Sequence, residues 1–316
     1  MHAVVIHDGD LVIEERPNPV PGPTEVLVDV AAAGLNGADI LQRRGFYPAP
    51  SGAPVDIPGL EFAGTVIGLG DEVTSVAIGA KVMGIVAGGA QATHCLIDES
   101  HALVVPDAVD LVLAGGFAEA FSTAHDALVT QAHLKAGDRV LITGAAGGVG
   151  TAAVQIAASL GAFVIASVRD TSLHEAVALL GAAQVIVPED IGHNGPYDVV
   201  LELVGAPSLE VALGALAMGA RVSVIGVGAG AKAQINLLAL MGARAQLTGA
   251  TLRARSRSEK AAVARGVRQD LLPLLSSGNL SVPLVASYPL SDVAHAYERF
   301  TTGGKLGKIV LVNHQP

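Results

Sequence analysis

The stretch Val140–Gly150 reads VLITGAAGGVG, and its reading decides the fold. A β-type run feeds a glycine-rich turn, and the turn opens a helical stretch near Val149–Leu160. Set against the spacing G-x-G-x-x-G, the three small positions are Ala145, Gly147 and Gly150. Gly147 lets the backbone approach a pyrophosphate, and Gly150 lets the helix pack closely on the strand; Gly144 adds a turn position just before. The helix N-terminus, around Gly148 and Val149, presents free N–H groups to the anion. A glycine-rich turn with no ligand is the plainer alternative. Here, however, the turn lies inside a complete strand–helix–strand unit, so a dinucleotide is the expected ligand.

Working downstream, strand-like runs keep alternating with Ala- and Leu-rich helical stretches. Phe163–Val168 is followed by a helix near Leu173–Leu180, then Val185–Val187 and Asp198–Leu203. A helix near Leu209–Ala217 and a strand Arg221–Ile225 continue the series. Parallel strands need crossover helices, so the alternation predicts an α/β, doubly wound parallel sheet over residues 119–250. Upstream, the chain is punctuated by Pro17, Pro19, Pro21 and Pro23 and by the stretch Gly45–Pro58. Between these lie short runs such as Glu25–Ala31, Ala63–Leu69 and Lys81–Val86, the mark of a strand-rich, antiparallel lobe. The tail adds a helix near Leu290–Phe300 and a strand Lys308–Val312, so residues 1–118 and 251–316 are expected to form one domain.

The end of the second strand of the sheet chooses between the two nicotinamide cofactors. An NAD site usually carries an acid there to grip the ribose hydroxyls. This chain reads Ala166-Ser167-Val168-Arg169-Asp170, with Val168 at the acid's position and Arg169 next. A guanidinium pairs with a 2′-phosphate bidentately, so NADPH is the expected cofactor. The alternative is that Arg169 is solvated or neutralised by Asp170.

Bulk properties narrow the rest. Of the 316 residues 51% are hydrophobic and 15% charged, too apolar for a disordered chain. The uncharged run Val140–Val168 is long enough to span a bilayer, but its glycines break it into strand, turn, helix and strand, so no membrane span is expected. No secretory signal is visible at Met1–Val4, and Cys95 is the only cysteine, which leaves no internal disulfide and no cysteine-based zinc cluster. A reducing, cytoplasmic setting follows as the default. A net charge of −10 argues against a general nucleic-acid binder. The adjacent pair His94-Cys95 sits on a β-type run, where neighbours face opposite sides, so both are read as structural and no metal is expected.

The chain resembles the medium-chain dehydrogenase/reductase superfamily, and within it the zinc-free quinone oxidoreductases of the zeta-crystallin-like branch. GLNGADILQRRGFYPAP (34–50), PGLEFAGTV (58–66), EAFSTAHDAL (119–128), AAGGVG (145–150) and GKLGKIVL (304–311) carry the likeness over nearly the whole chain. The resemblance implies a GroES-like catalytic domain beside a Rossmann cofactor domain. Zinc-dependent relatives place a Cys at Asn36 and a His at Leu60, beside Glu61, and neither replacement here is a zinc ligand. It also implies cofactor contacts at Thr123, at Leu203 and Val204, at Gly226, Val227 and Gly228, and at Lys308. Branch members commonly add a Lys and a Tyr near the 2′-phosphate. Ser172 or Leu173, and Pro188, stand there instead, which leaves the phosphate to Arg169. The segment Glu189–Tyr197 is shorter than usual, as if a helix were trimmed.

Without a metal and without a Ser/His/Asp arrangement, the simplest chemistry is hydride transfer to a quinone or to a C=C bond conjugated with a carbonyl. By resemblance Asn36 and Tyr47 stand on the substrate side: Asn36 to orient the carbonyl, Tyr47 to donate a phenolic proton, or else merely to cover the cleft. Asp39 reads as a brace for the helix after it. The run Leu252–Arg257 carries three alternating arginines, read as a solvated edge rather than a guide for an anionic substrate. Two other functions stay open: an enoyl-thioester reductase of a biosynthetic pathway, and an NADPH-binding regulatory protein with little catalysis. The apolar segment Met241–Thr251 resembles the edge strand through which relatives pair, which predicts a homodimer.

Overall fold

The uncharged run from Val140 to Val168 is not one helix. In the computed structural model, which describes residues 1–313, it forms a strand Arg139–Ile142, a glycine-rich turn, a helix Gly148–Ser159 and a strand Phe163–Ser167. Among the described residues no helix is long and apolar enough to cross a membrane.

Residues 123–251 and 304–307 make up one of two units. Its sheet has six parallel strands, in the order Gln184–Ile186, Phe163–Ser167, Arg139–Ile142, Tyr197–Glu202, Leu216–Val224 and Gln246–Gly249. The central strands are covered on both faces: Val140, Leu141, Ile142, Val164, Ile165, Val199, Val200 and Leu201 have no exposed surface. Each contributes roughly 1.5–3 kcal/mol through burial. The chain runs outward one way from Arg139–Ile142 and the other way from Tyr197–Glu202, so the order reverses between these two neighbours. Ligands of such sheets bind at the carboxyl ends beside that reversal.

Two local expectations are corrected here. The helix anticipated near Leu209–Ala217 is Ala206–Leu213, started by Pro207 and closed at Gly214, and the next strand begins already at Leu216. Met241–Thr251 is not one strand. Asn236 caps a helix Leu237–Ala243, Arg244 ends it in the left-handed conformation (φ 49°), and only Gln246–Gly249 joins the sheet. The shortened segment after Val187 is a 3-10 turn, Pro188–His193.

The other unit comprises residues 1–122, 252–303 and the C-terminal stretch from Lys308. Its main sheet runs Leu284–Pro289, Lys308–Val312, Glu25–Gly34, Glu61–Leu69, Lys81–Ile85 and Leu103–Val104, with His94–Asp98 also paired to Glu25–Gly34. All pairings are antiparallel except that of Leu284–Pro289 with Lys308–Val312. Alternate residues Val26, Val28 and Val30 turn inward against Phe62, Val66, Val82 and Ile97, the period-two pattern of a half-covered sheet. Cys95 faces that core, where burial pushes its thiol up to about 12, while His94 faces outward. A second core packs the helix Val293–Thr302 through Val293, Ala296 and Tyr297 onto Leu35, Ile309 and Leu311.

Candidate functional site

The sequence-predicted residues that follow the strands of the parallel-sheet unit lie at the carboxyl ends of those strands. Gly144 takes the left-handed conformation (φ +59°), and a side chain at Gly150 would run into the Gly144 carbonyl, so that position admits only glycine. Gly147 stands as the N-cap of the helix Gly148–Ser159; its N–H donates to Gly144 O (3.0 Å) and its carbonyl accepts from Thr151 N (2.8 Å). The N–H groups of Gly148, Val149 and Gly150 have no partner within the helix, the condition for holding a phosphate. Ala145 is fully buried and packs the turn down. Gly307 forms a bridge with Gly147, and its N–H donates to Ala146 O (2.8 Å).

Two further turns complete this rim. Leu203–Gly205 follows one strand and Gly226–Gly228 follows its neighbour, and they brace each other: Ala206 N donates to Gly230 O and Ala229 N to Val204 O, both at 2.9 Å. Sequence reading passed over the group that shapes them. Glu202 is fully buried, and its Oε1 accepts from Val204 N and Gly205 N (2.7 Å each) and from Thr143 Oγ1 and Ser208 Oγ (2.8 Å each). An acid closing an apolar strand just before a glycine turn was the only signal in the letters. Thr123 lies buried in the helix Ala118–His125. Arg169 is exposed at the end of Phe163–Ser167, while Asp170 spends its carboxylate on Ser172, accepting from its N (3.1 Å) and Oγ (2.6 Å). Those two bonds hold the Asp170 carboxyl below its ordinary range, with the Arg169 charge helping.

In the other unit Asn36, Glu61 and Lys308 meet in a buried cluster. The Lys308 ammonium donates to Glu61 Oε1 (2.5 Å), Asn36 Oδ1 (2.7 Å) and Leu35 O (2.8 Å), and Lys308 and Glu61 are 3% and 0% exposed. The Asn36 amide donates to Glu61 Oε1 (3.0 Å) and Gly34 O (3.3 Å). Glu61 Oε2 accepts from Glu119 N (2.8 Å). An amide spent in this way has no N–H left for a substrate carbonyl, and an ammonium with three acceptors has none for a cofactor phosphate. Asn36 and Lys308, expected at the substrate and the cofactor, are thus bonded to one another and to Glu61. Behind them Asp39 accepts from Asn36 N (2.8 Å) and Gly59 N (3.1 Å), the bracing role read from sequence. Burial lifts its carboxyl to about 6, against the pull of those N–H groups and of Lys308.

These residues do not make a zinc donor set. Zinc takes thiolate, imidazole and carboxylate ligands, whereas here an amide, the apolar Leu60 and one carboxylate already paired with an ammonium stand together. Among the described residues no group of three or more His, Cys, Asp and Glu is placed to hold a metal ion.

Tyr47 is half-buried, and burial with the nearby Glu119 carboxylate raises its phenol while Arg253 opposes the rise. Arg253 corrects the solvated-edge expectation: it is 4% exposed, and its guanidinium carbon lies 5.1 Å from the centre of the Tyr47 ring. Arg257, by contrast, is on the surface, paired with Asp98 at 2.6 Å.

Residues 22–133 match the alcohol dehydrogenase GroES-like domain, and residues 180–311 match the zinc-binding dehydrogenase family. The quinone oxidoreductase of Lama guanicoe is 30% identical over 93% of this chain and 90% of its own length. A segment of a phenolphthiocerol/phthiocerol polyketide synthase of Mycobacterium tuberculosis is 32% identical over 92% of this chain, but that is only 14% of the synthase polypeptide. Among solved structures, mycobacterial Rv1454c complexed with NADPH superposes with a TM-score of 0.86 at 28% identity, covering 99% of each chain. A likeness that runs the length of the chain, on the same pairing of a GroES-like lobe with a parallel cofactor sheet, makes this protein an oxidoreductase of the medium-chain dehydrogenase/reductase superfamily.

Proposed function

We propose that this chain is an NADPH-dependent reductase that delivers a hydride to a quinone or to a C=C bond conjugated with a carbonyl, without a metal. The observation that carries it is the donor set itself: Asn36 and Leu60 stand where the resemblance puts zinc ligands, beside a Glu61 carboxylate paired with the Lys308 ammonium. With no Lewis acid, the acceptor must be one whose developing charge spreads onto an oxygen that a hydrogen bond can steady. Bound at the glycine rim, a reduced nicotinamide supplies the hydride. The N–H groups of Gly148, Val149 and Gly150 hold the pyrophosphate, and Arg169 takes the 2′-phosphate. Thr123, from the helix Ala118–His125, and Leu203, Val204, Gly226, Val227 and Gly228, from two turns, border the rest, and Glu202 holds the first of those turns in shape. Tyr47 donates its phenolic proton to the acceptor oxygen and recovers it from water.

Consumption of NADPH, with NADH in parallel, against quinones, enones and enoyl-CoA esters tests this directly. Turnover of one acceptor class with an NADPH preference supports it; tight NADPH binding without any turnover rejects it. Tyr47→Phe is expected to lower kcat by about 10²-fold, within the usual range for a positioned acid. The polyketide synthase match favours a second reading, an enoyl-thioester reductase, which turnover of enoyl-CoA alone would select.

The homodimer is proposed on the same footing. Leu238, Met241 and Leu237 are 79%, 70% and 65% exposed beside the edge strand Gln246–Gly249, an apolar face next to unpaired backbone. Light scattering at working concentration is expected to give twice the chain mass, and a monomer rejects the assignment.

A further inference from the structure

We infer that Arg253 is the specificity-determining residue of the acceptor side, a buried clamp that ties residues 46–58, residues 86–91 and the helix Gly37–Arg43 into one wall. The inference rests on the proposed role of Tyr47 for its functional meaning, but not for its geometry. Arg253 is the second residue after the chain re-enters the GroES-like unit at Leu252, and it reaches three segments far away in sequence. Its Nε donates to Ala87 O (2.7 Å), Nη1 to Tyr47 O (2.9 Å) and Nη2 to Gln42 Oε1 (2.7 Å). Gln42 carries the tie onward, its Nε2 donating to Val55 O (3.2 Å). The two loops also touch directly, Gly89 N donating to Ile57 O (2.9 Å) and Gln91 N to Pro58 O (3.0 Å). At Gly88 and Gly89 a side chain would press on Pro54, so the loops meet backbone to backbone.

All three acceptors of the guanidinium are uncharged. Through-space attraction to the Asp39 and Glu119 carboxylates only partly offsets the desolvation of the guanidinium, so burying it stabilises the fold poorly. What such an arrangement does give is direction. A planar fork with donors on three sides holds three segments at fixed angles, which the point charge of a lysine cannot do. The guanidinium also lies over the Tyr47 ring while gripping the Tyr47 carbonyl, so the phenol is fixed at both ring and backbone. Loops held in this way admit acceptors of one thickness. Released, they admit bulkier ones and hold each less well.

Hydrogen exchange and steady-state kinetics on Arg253→Ala and Arg253→Lys test the clamp. Exchange is expected to quicken by about 10-fold or more in both residues 46–58 and 86–91, with residues 123–251 unchanged. The KM for the acceptor is expected to rise about 10-fold with the KM for NADPH nearly constant, and the preference for benzoquinone over a bulky naphthoquinone to shrink. Arg253→Lys should resemble Arg253→Ala, and added guanidinium ion, but not methylammonium, should restore part of the loss in Arg253→Ala. If Arg253→Ala does not fold, Gln42→Ala tests the tie by loosening residues 46–58. Unchanged exchange in either loop, or full function in Arg253→Lys, overturns the inference. Tyr47→Phe run alongside separates the two ideas: full turnover in that variant defeats the proton-donor role, while loop exchange still decides Arg253.

Discussion

The glycine rim of the parallel-sheet unit and the buried cluster of the GroES-like unit are built by opposite means. At the rim, backbone does the work: Gly144, Gly147 and Gly150 clear space, and a helix start supplies donors, all within one short stretch. In the cluster, side chains do it, with Asn36 and Glu61 meeting Lys308 across a sequence separation of more than two hundred residues. A backbone site tolerates changes in its outward side chains but not in its glycines. A buried charge cluster tolerates little that removes one partner, because the charge left behind has no water.

The largest expected effect breaks the cluster. Lys308→Met strands Glu61 in the core and should cost about 3–5 kcal/mol in urea unfolding, while Lys308→Met with Glu61→Gln recovers most of it. A loss below about 1 kcal/mol in the single variant would put the pair on the level of a surface ion pair and erase the contrast with the rim.

Next comes the pH dependence of the same region. Asp39 has a carboxyl raised from its ordinary 3.8 to about 6 in the folded protein. Between those values the folded chain holds a proton that the unfolded chain releases. The contribution to stability is therefore complete below pH 3.8 and lost as pH rises through about 6. Measured against Asp39→Asn, the wild-type chain should gain roughly 3 kcal/mol in relative stability from pH 8 to pH 4. A flat difference would show that Asp39 is solvated.

On the rim, Gly147→Ala should weaken NADPH binding by about 100-fold in fluorescence titration, near 2.7 kcal/mol, with little loss of stability in urea unfolding. Equal damage to folding and binding would mean that the loop, like the cluster, is part of the core. The smallest effect is Arg169→Ala: about 10-fold weaker NADPH, near 1.4 kcal/mol, with NADH hardly changed. An equal effect on both cofactors would show that Arg169 does not read the phosphate.

Legibility followed the same contrast. VLITGAAGGVG could be read because strand, turn and helix are local, and a glycine's lack of a side chain is visible in the letter itself. Glu202 showed only faintly, as an acid before a glycine turn. Arg253 was misread because three alternating arginines before a helix resemble a solvated edge, and nothing nearby reveals that Gln42, Tyr47 and Ala87 await the first of them. Asn36 was expected on the substrate side, and nothing near it in the sequence reveals that Lys308 engages its amide.

The sequence by itself determined the alternation that makes a parallel sheet, the glycine loop at its edge and the presence of one cysteine, since each depends on residues close together or on a residue type alone. Only the tertiary structure decided that Lys308 pairs with Glu61, that Asp39 is buried enough to hold its proton up to about pH 6, and that Arg253 bonds to two loops. Those outcomes depend on which distant side chain arrives to share a space without water, and the free energy of a buried charge is set by its partners rather than by its own identity.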